Sequence, residues 1–423
     1  MLQSKLVIAA IALIAGAGTM PALAQQAATT SAAAAAAVVP DAEATAVAAP
    51  AVATAAATPA PVPASGGTLR IATWAGAYGQ AQKLAVFDPF AKDTGTTVDA
   101  SAAVGDAGVS GNTWDVADLS AATADELCDK GALEAIDPAM LKAAPDGTAA
   151  AADFLPGGLG KCAVGSLAWS SVILFMGDNK DAKTGKPFAV PKSLKDFFDV
   201  VHVPGKRGLP RDPRYVLELA LMADGVAPDD VYKQLATSDG ARRALRSLAS
   251  IRSQIVWSND AQQAIAMLKD HTVAMTMAYS GRAFMEIATG TKPIRILWDG
   301  QVYDVDVWAV SKTATNKYDA MKFVAYASGS DRLADTARQL PYGPMRRSAV
   351  ALVGNHAILG TDLKPFLPTS PDNLATALRF DGTFWKGHQV ELAAALEDWI
   401  ANPPYKAGVG RNMVEPQRTT AKN

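Results

Sequence analysis

From Gly67 onward the chain alternates short continuous apolar runs with amphipathic stretches, the rhythm of a sheet buried on both faces by helices. Residues 68–74 read as a strand, followed by a Gly-containing loop and a helix over 80–93 that Gly95 ends. TTVDASA is the next strand, completing a strand–helix–strand unit. WDVADLS, residues 114–120, is a further buried strand with Asp118 and Ser120 on one side, and the helix TADELCDKG follows it. AVGSLAWSSVILFM, from Ala163, is the longest β-rich run and can carry the chain from one lobe to another. Beyond it, PKSLKDFFDV, VLELALMADG, DDVYKQLA, GARRALRSLASIRSQ and AQQAIAMLKDH read as helices. Asp260 is positioned to cap the last of these, behind Trp257, which has no such structural excuse and is read as lining a cleft. Late helices are expected in NKYDAMKFVAYAS, near DRLADTARQL and over 384–400, with a turn at Pro341-Tyr342-Gly343-Pro344.

Residues 273–310 carry the densest pattern. VAMTMAY is a buried strand, ending at Tyr279 with Ser280 as the predicted N-cap of a helix that contains Arg282. Ligands of open α/β sheets bind beyond the carboxyl ends of strands, which marks Tyr279, Ser280 and Arg282. IRILW then reaches Asp299-Gly300, a hairpin signal, and YDVDVW follows. Alternation puts Asp304, Asp306 and Trp308 on one face of that strand. Such a face is either a solvated edge or a cation pocket, where an ammonium finds opposite charge and gains ~2 kcal/mol from an aromatic face.

The first residues fix the compartment. Lys5, the run LVIAAIALIAGAG and Pro21-Ala22-Leu23-Ala24 form a secretory signal peptide, residues 1–24, that directs the chain to the periplasm. No later stretch is long and apolar enough for a membrane span, and no Cys beside the cleavage site offers a lipid anchor. Residues 25–65, almost all Ala, Val, Thr and Pro, read as a disordered linker, and 405–423 as a flexible tail. The linker inflates the apolar fraction of 49%, so that figure says little about the core. The body that remains is long enough for two lobes. A net charge of -2 argues against nucleic acid as a partner. Cys128 and Cys162, an even pair in a secreted chain, read as a disulfide rather than a metal site. The four His are scattered, and no phosphate-loop, dinucleotide, GxSxG or HExxH pattern occurs, so neither a metal, a cofactor nor an enzymatic activity is expected.

TLRIATWAGAY, WDVADLS, the cysteine pair, FFDV with GKRGLPRDP, AMTMAYSGR, WDGQVYDVDVWAV and PYGP, in that order, resemble the periplasmic solute-binding proteins of spermidine/putrescine-type ABC transporters. The resemblance covers residues 67–400 and implies an α/β, two-lobe periplasmic binding protein fold with a cleft between lobes and crossing hinge strands. Lobe 1 would comprise 66–171 with 307–344 returning to it, and lobe 2 would comprise 172–306 with 345–404 packing on it. It implies a monomer that delivers its ligand to an ABC permease with a separate ATPase. By motif, Trp74 and Tyr78 match positions that wall the cleft, Ser120 a ligand contact, Asp212 an acidic amine contact, Tyr279 and Tyr342 cleft aromatics, and Asp306 the carboxylate that pairs with an amine. The ligand implied is a small cationic amine of the putrescine or spermidine kind. The departures point elsewhere: Asp304 stands where a Trp is expected, Tyr215 replaces a second acidic residue, and Arg282 follows the Tyr279 strand. An inward Arg282 would favour a carboxylate, hence a zwitterionic amino acid, an opine or an aminobutyrate-like solute. A periplasmic ligand sensor using the same cleft is the remaining alternative.

Overall fold

A computed structural model describes residues 67–105, 108–109, 113–178 and 187–402. The signal peptide, the linker and the tail predicted from sequence lie outside the described residues. The strands are β1 (Thr68–Thr73), β2 (Thr97–Gly105), β3 (Gly108–Val109), β4 (Val116–Ser120), β5 (Ala163–Met176) and β6 (Arg207–Pro210). They continue with β7 (Ile255–Ser258), β8 (Met275–Tyr279), β9 (Ile294–Val310), β10 (Gly343–Pro344) and β11 (Leu378–Arg379). Among the described residues they form one sheet of order β3-β2-β1-β4-β9-β5-β8-β6-β7, with β10 on β5 and β11 on β9. The two flanks are parallel, β2-β1-β4 on one side and β8-β6-β7 on the other. The centre is antiparallel: β9 runs against β4 and β5, and β5 against β8.

β5 and β9 thread two hydrophobic cores. The first gathers Leu69, Ile71, Phe90, Leu119, Val305 and Trp308, with Trp308 edge-on to Phe323 at 5.2 Å and to Phe87 at 6.2 Å. The second gathers Ile173, Phe197, Leu209, Leu219, Leu297 and Leu396. β5 supplies Val164 and Ala168 to the first and Ile173 and Phe175 to the second. Its near-continuous burial is what a strand covered on both faces requires.

Two local expectations are corrected. Asp299-Gly300 does not close a hairpin, because both halves of β9 pair with the same strand: Ile294–Leu297 lie against Ile173–Met176, and residues 302–309 against 163–171. The residues between form an excursion in which Gly300 takes φ 71° and Asp299 accepts the Leu194 N–H at 2.7 Å. Ser280 is not an N-cap either. Tyr279 occupies that position, and the Ser280 hydroxyl instead accepts the Ser170 N–H at 3.3 Å, tying β5 to the helix Ser280–Thr289. The helix read over 80–93 is built as Ala77–Gln82, a π-helical turn Lys83–Phe87 and Asp88–Thr94, ended by Gly95 at φ 73°. Cys128, in the helix Ala121–Asp129, is bonded to Cys162 just before β5, with Cα atoms 5.8 Å apart.

Candidate functional site

Where β4, β9 and β5 lie side by side, three carboxylates converge. Ser120 pairs with Asp306 and Asp118 with Trp308, so alternation places all four on the same face. Asp118 is fully buried and accepts the Tyr78 hydroxyl at 2.9 Å and Ser166 Oγ at 3.3 Å. Gln82 donates to the same carboxylate and in turn accepts from Thr73. The single Ser166 hydroxyl hydrogen is shared between Asp118 and the nearer Asp306 carbonyl at 2.9 Å, joining β5 to β9. Across the sheet, Asp304 stands opposite Trp169.

No cation is among the groups acting on Asp118 or Asp306 in the described residues, and Arg379 alone of the basic groups pulls on Asp304. The consequences are electrostatic. Burial pushes the Asp118 carboxyl up to about 7, against the pull of Gln82, Tyr78 and Ser166. Burial, then the neighbouring Asp118 and Asp304, raises Asp306 well above the carboxylate range. Asp304 is raised by burial to about 6, with the Val305 N–H donating at 2.8 Å in partial compensation. An ammonium placed here would meet a nest that is short of exactly one kind of partner, a positive hydrogen-bond donor.

Aromatic rings wall this nest. Tyr78 and Tyr342 lie 5.8 Å apart, and Tyr342 crowds Gly281 so closely that a Cβ there would stand 2.6 Å from its ring. Trp169, Tyr215 and Tyr279 form a second group, with centroids 5.3 Å (Trp169–Tyr279) and 6.3 Å (the other two pairs) apart and steep interplanar angles. Tyr215 reaches it through a left-handed backbone, φ 67°, a conformation costly for a bulky residue. Trp74 follows β1 and packs partly on the first core, with its indole N–H buried and without a partner among the described residues.

The remaining predicted positions are used differently. Ser120 caps the helix Ala121–Asp129, accepting the Thr123 N–H at 3.3 Å. Asp212 carries a guanidinium already: Arg214 Nε lies 3.1 and 3.0 Å from its two oxygens and a terminal nitrogen 2.6 Å from one. Arg214 is within electrostatic range of Tyr215 and Tyr279. Arg282, exposed in the first turn of its helix, acts on Tyr342. Trp257 packs against the second core, while its neighbours Ser258, Asn259 and Asp260 line a cavity of about 520 Å³ that Tyr215 and Tyr279 also wall. Trp169, Gln82 and Ser166 were not singled out by sequence. Their signal was slight, a Trp and three serines interrupting an apolar run, and a Gln inside a helix.

Two cores threaded by the same pair of strands, with a charged and aromatic nest where those strands cross, define a two-lobe binding protein. The chain belongs to the bacterial extracellular solute-binding protein family, which its residues 85–358 match. It is 34% identical over 341 residues to the gamma-aminobutyric acid-binding protein of Pseudomonas aeruginosa, covering 79% of this chain and 91% of that one. A GABA receptor of known structure is 26% identical, with a TM-score of 0.60 over 81% of this chain and 100% of its own. The spermidine/putrescine substrate-binding protein PotD of Streptococcus pneumoniae shares the fold, at 16% identity and a TM-score of 0.60 over 79% of this chain and 99% of its own. The resemblance read from sequence therefore stands at the level of the family, not of its spermidine/putrescine type.

Proposed function

We propose that this chain is the periplasmic substrate-binding component of an ABC importer and that its ligand is a small zwitterion of the aminobutyrate, amino-acid or opine kind, captured between two lobes and delivered to a permease. The lobes would be those read from sequence, closing about β5 and β9. The observation that carries the reading is the polarity of the site. Asp118 and Asp306 are buried with no cation among the described groups acting on them, and Arg282 acts on Tyr342 at the wall of the same nest; towards Tyr215 and Tyr279, Asp212 is already neutralised by Arg214. A diamine would bring its second ammonium to that paired Asp212. A zwitterion would bring its ammonium to the carboxylates and its carboxylate towards the exposed guanidinium of Arg282. Relatives that carry γ-aminobutyrate in their names favour the same choice. The earlier expectation of a putrescine- or spermidine-like ligand gives way to it.

Calorimetry of the purified protein with γ-aminobutyrate, a panel of amino acids and opines, putrescine and spermidine tests the proposal. Binding of one or more zwitterions, with the diamines at least tenfold weaker, is expected. Tight binding of the diamines alone would overturn it.

A further inference from the structure

One helical face holds the buried Asp118 carboxylate from a single side. Tyr78 and Gln82 are one turn apart in Ala77–Gln82, so they share a face, and both donate to Oδ2 of Asp118, the tyrosine hydroxyl at 2.9 Å. The helix widens into its π turn directly after Gln82, a feature frequent at functional sites. The other carboxylate oxygen, Oδ1, faces only Ser166 Oγ at 3.3 Å, whose hydrogen is shared with the Asp306 carbonyl. Asp118 is therefore well supplied with donors at Oδ2 and poorly supplied at Oδ1.

Gln82 differs from the other two donors in that its direction is fixed. An amide can turn either end towards a carboxylate, and only the nitrogen end is favourable. The Thr73 hydroxyl donates to Gln82 Oε1, which leaves Nε2 aimed at Asp118. Both ends of this buried amide are thus engaged within the protein, and Gln82 can influence a ligand only through Asp118. The hydroxyls of Tyr78 and Ser166 rotate and also serve Asp306, at its carboxylate and its carbonyl respectively. Burial raises the Asp118 carboxyl to about 7, and of the three donors that oppose the rise Gln82 pulls hardest. The groups facing Asp118 are Tyr78 and Gln82 on the helix, Ser166 on β5 and Asp306 on β9, with no cation among the described residues. A neutral donor of fixed direction favours the anion without supplying a countercharge, so the demand for a cation persists.

We propose that Gln82 is a positioning residue for cation capture: oriented by Thr73, it holds Asp118 as an anion whose Oδ1 is left for the ligand's ammonium. The proposal rests on the reading of the carboxylate nest as the ammonium end of the site and deepens it.

Two variants of the full chain test it. Gln82→Met roughly keeps the volume and removes the donor, whereas Thr73→Val keeps the shape of its side chain and frees the amide to turn. Carbon-detected NMR of the Asp118 carboxyl in the unliganded protein should show the titration midpoint of Gln82→Met moved up from about 7 by roughly one pH unit, as the loss of a hydrogen bond to a charged group requires. Thr73→Val should move it the same way by less. Calorimetry with γ-aminobutyrate and with putrescine follows the consequence. Whichever binds should bind Gln82→Met about tenfold more weakly than wild type at pH 6 and within about twofold of it at pH 9, where Asp118 is ionised in both proteins. An affinity loss equal at every pH, with the midpoint unmoved, would make Gln82 a packing residue and refute the proposal. Should Gln82→Met not fold, an unmoved midpoint in Thr73→Val refutes it as well. A midpoint that moves while affinity at pH 6 stays unchanged would refute it too, because Asp118 would then not meet the ammonium. Binding of putrescine alone, with the expected pH dependence, would overturn the zwitterion reading and leave Gln82 its role, since both compounds carry an ammonium.

Discussion

Replacing Asp306 by Asn separates stability from binding, because the two should move in opposite directions. In the unliganded protein, burial and the Asp118 and Asp304 charges keep the Asp306 carboxyl protonated well above its ordinary 3.8. The unfolded chain ionises there freely. A carboxyl whose folded-state pKa is raised above its unfolded value opposes folding increasingly as the pH rises above that unfolded value. Asn carries no such linkage, so Asp306→Asn should stabilise the empty protein at pH 7 and raise its Tm. The ligand's ammonium loses a buried counterion, which typically costs ~2–5 kcal/mol, or roughly 30- to 5,000-fold in Kd. Differential scanning calorimetry at pH 7, with and without the best zwitterion, reads both quantities. An affinity within twofold of wild type would remove Asp306 from the site. A lower Tm together with lost affinity would make it a structural residue instead, and the electrostatic reasoning would be wrong.

Four further outcomes follow from the same geometry. Ligand affinity should rise with pH between 5 and 8, by up to tenfold per unit between about 6 and 7 and up to a hundredfold per unit below about 6, because an ammonium must displace protons from Asp118 (about 7) and Asp304 (about 6); calorimetry in buffers of different ionisation enthalpy should register proton release on binding. Glu218 is buried with one oxygen unpartnered among the described residues and is pushed by burial to about 7, above its ordinary 4.5, so wild-type stability is highest below pH 4.5 as far as this group is concerned and declines towards 7. Glu218→Gln, which keeps an acceptor for Trp385 Nε1, should flatten that decline and add up to about 3 kcal/mol at pH 8, seen as a smaller pH dependence of Tm. Cys128→Ser should lower stability by about 3–4 kcal/mol, since the bond spans 34 residues, and chemical denaturation of oxidised and reduced wild type should reproduce the difference. Trp74→Phe, which removes the buried, unpartnered N–H together with part of the ring that packs on the first core, should weaken ligand binding by roughly 1–2 kcal/mol; equal affinity would place Trp74 outside the site.

Much of the fold could be read in the chain because its strands are continuous apolar runs with polar ends. WDVADLS and YDVDVW carried the face on which Asp118, Asp306 and Trp308 meet, since a period of two survives wherever pairing is regular. The same rule could not find Trp169, because β5 slips register against β9 between Gly165 and Ala168 and again between Ser171 and Ile173. The Asp-Gly signal at 299–300 misled for a related reason: it presumes that flanking strands pair with each other, whereas both had a longer common partner far earlier in the chain. Asp212 shows the other limit. Only the turn that brings Arg214 back onto it, closed by the Arg214 N–H donating to Asp212 Oδ1, reveals that its charge is spent.

The threading of β5 and β9 through both cores also governs how such a molecule can be recombined. A cut anywhere within β9 severs a strand that one core needs for Leu297 and the other for Val307. Neither half can therefore be exchanged with a relative's through a single junction. A working chimaera needs matched crossovers in β5 and β9 at the same rung, so ligand specificity on one side of the nest is inherited together with the strands that frame the other.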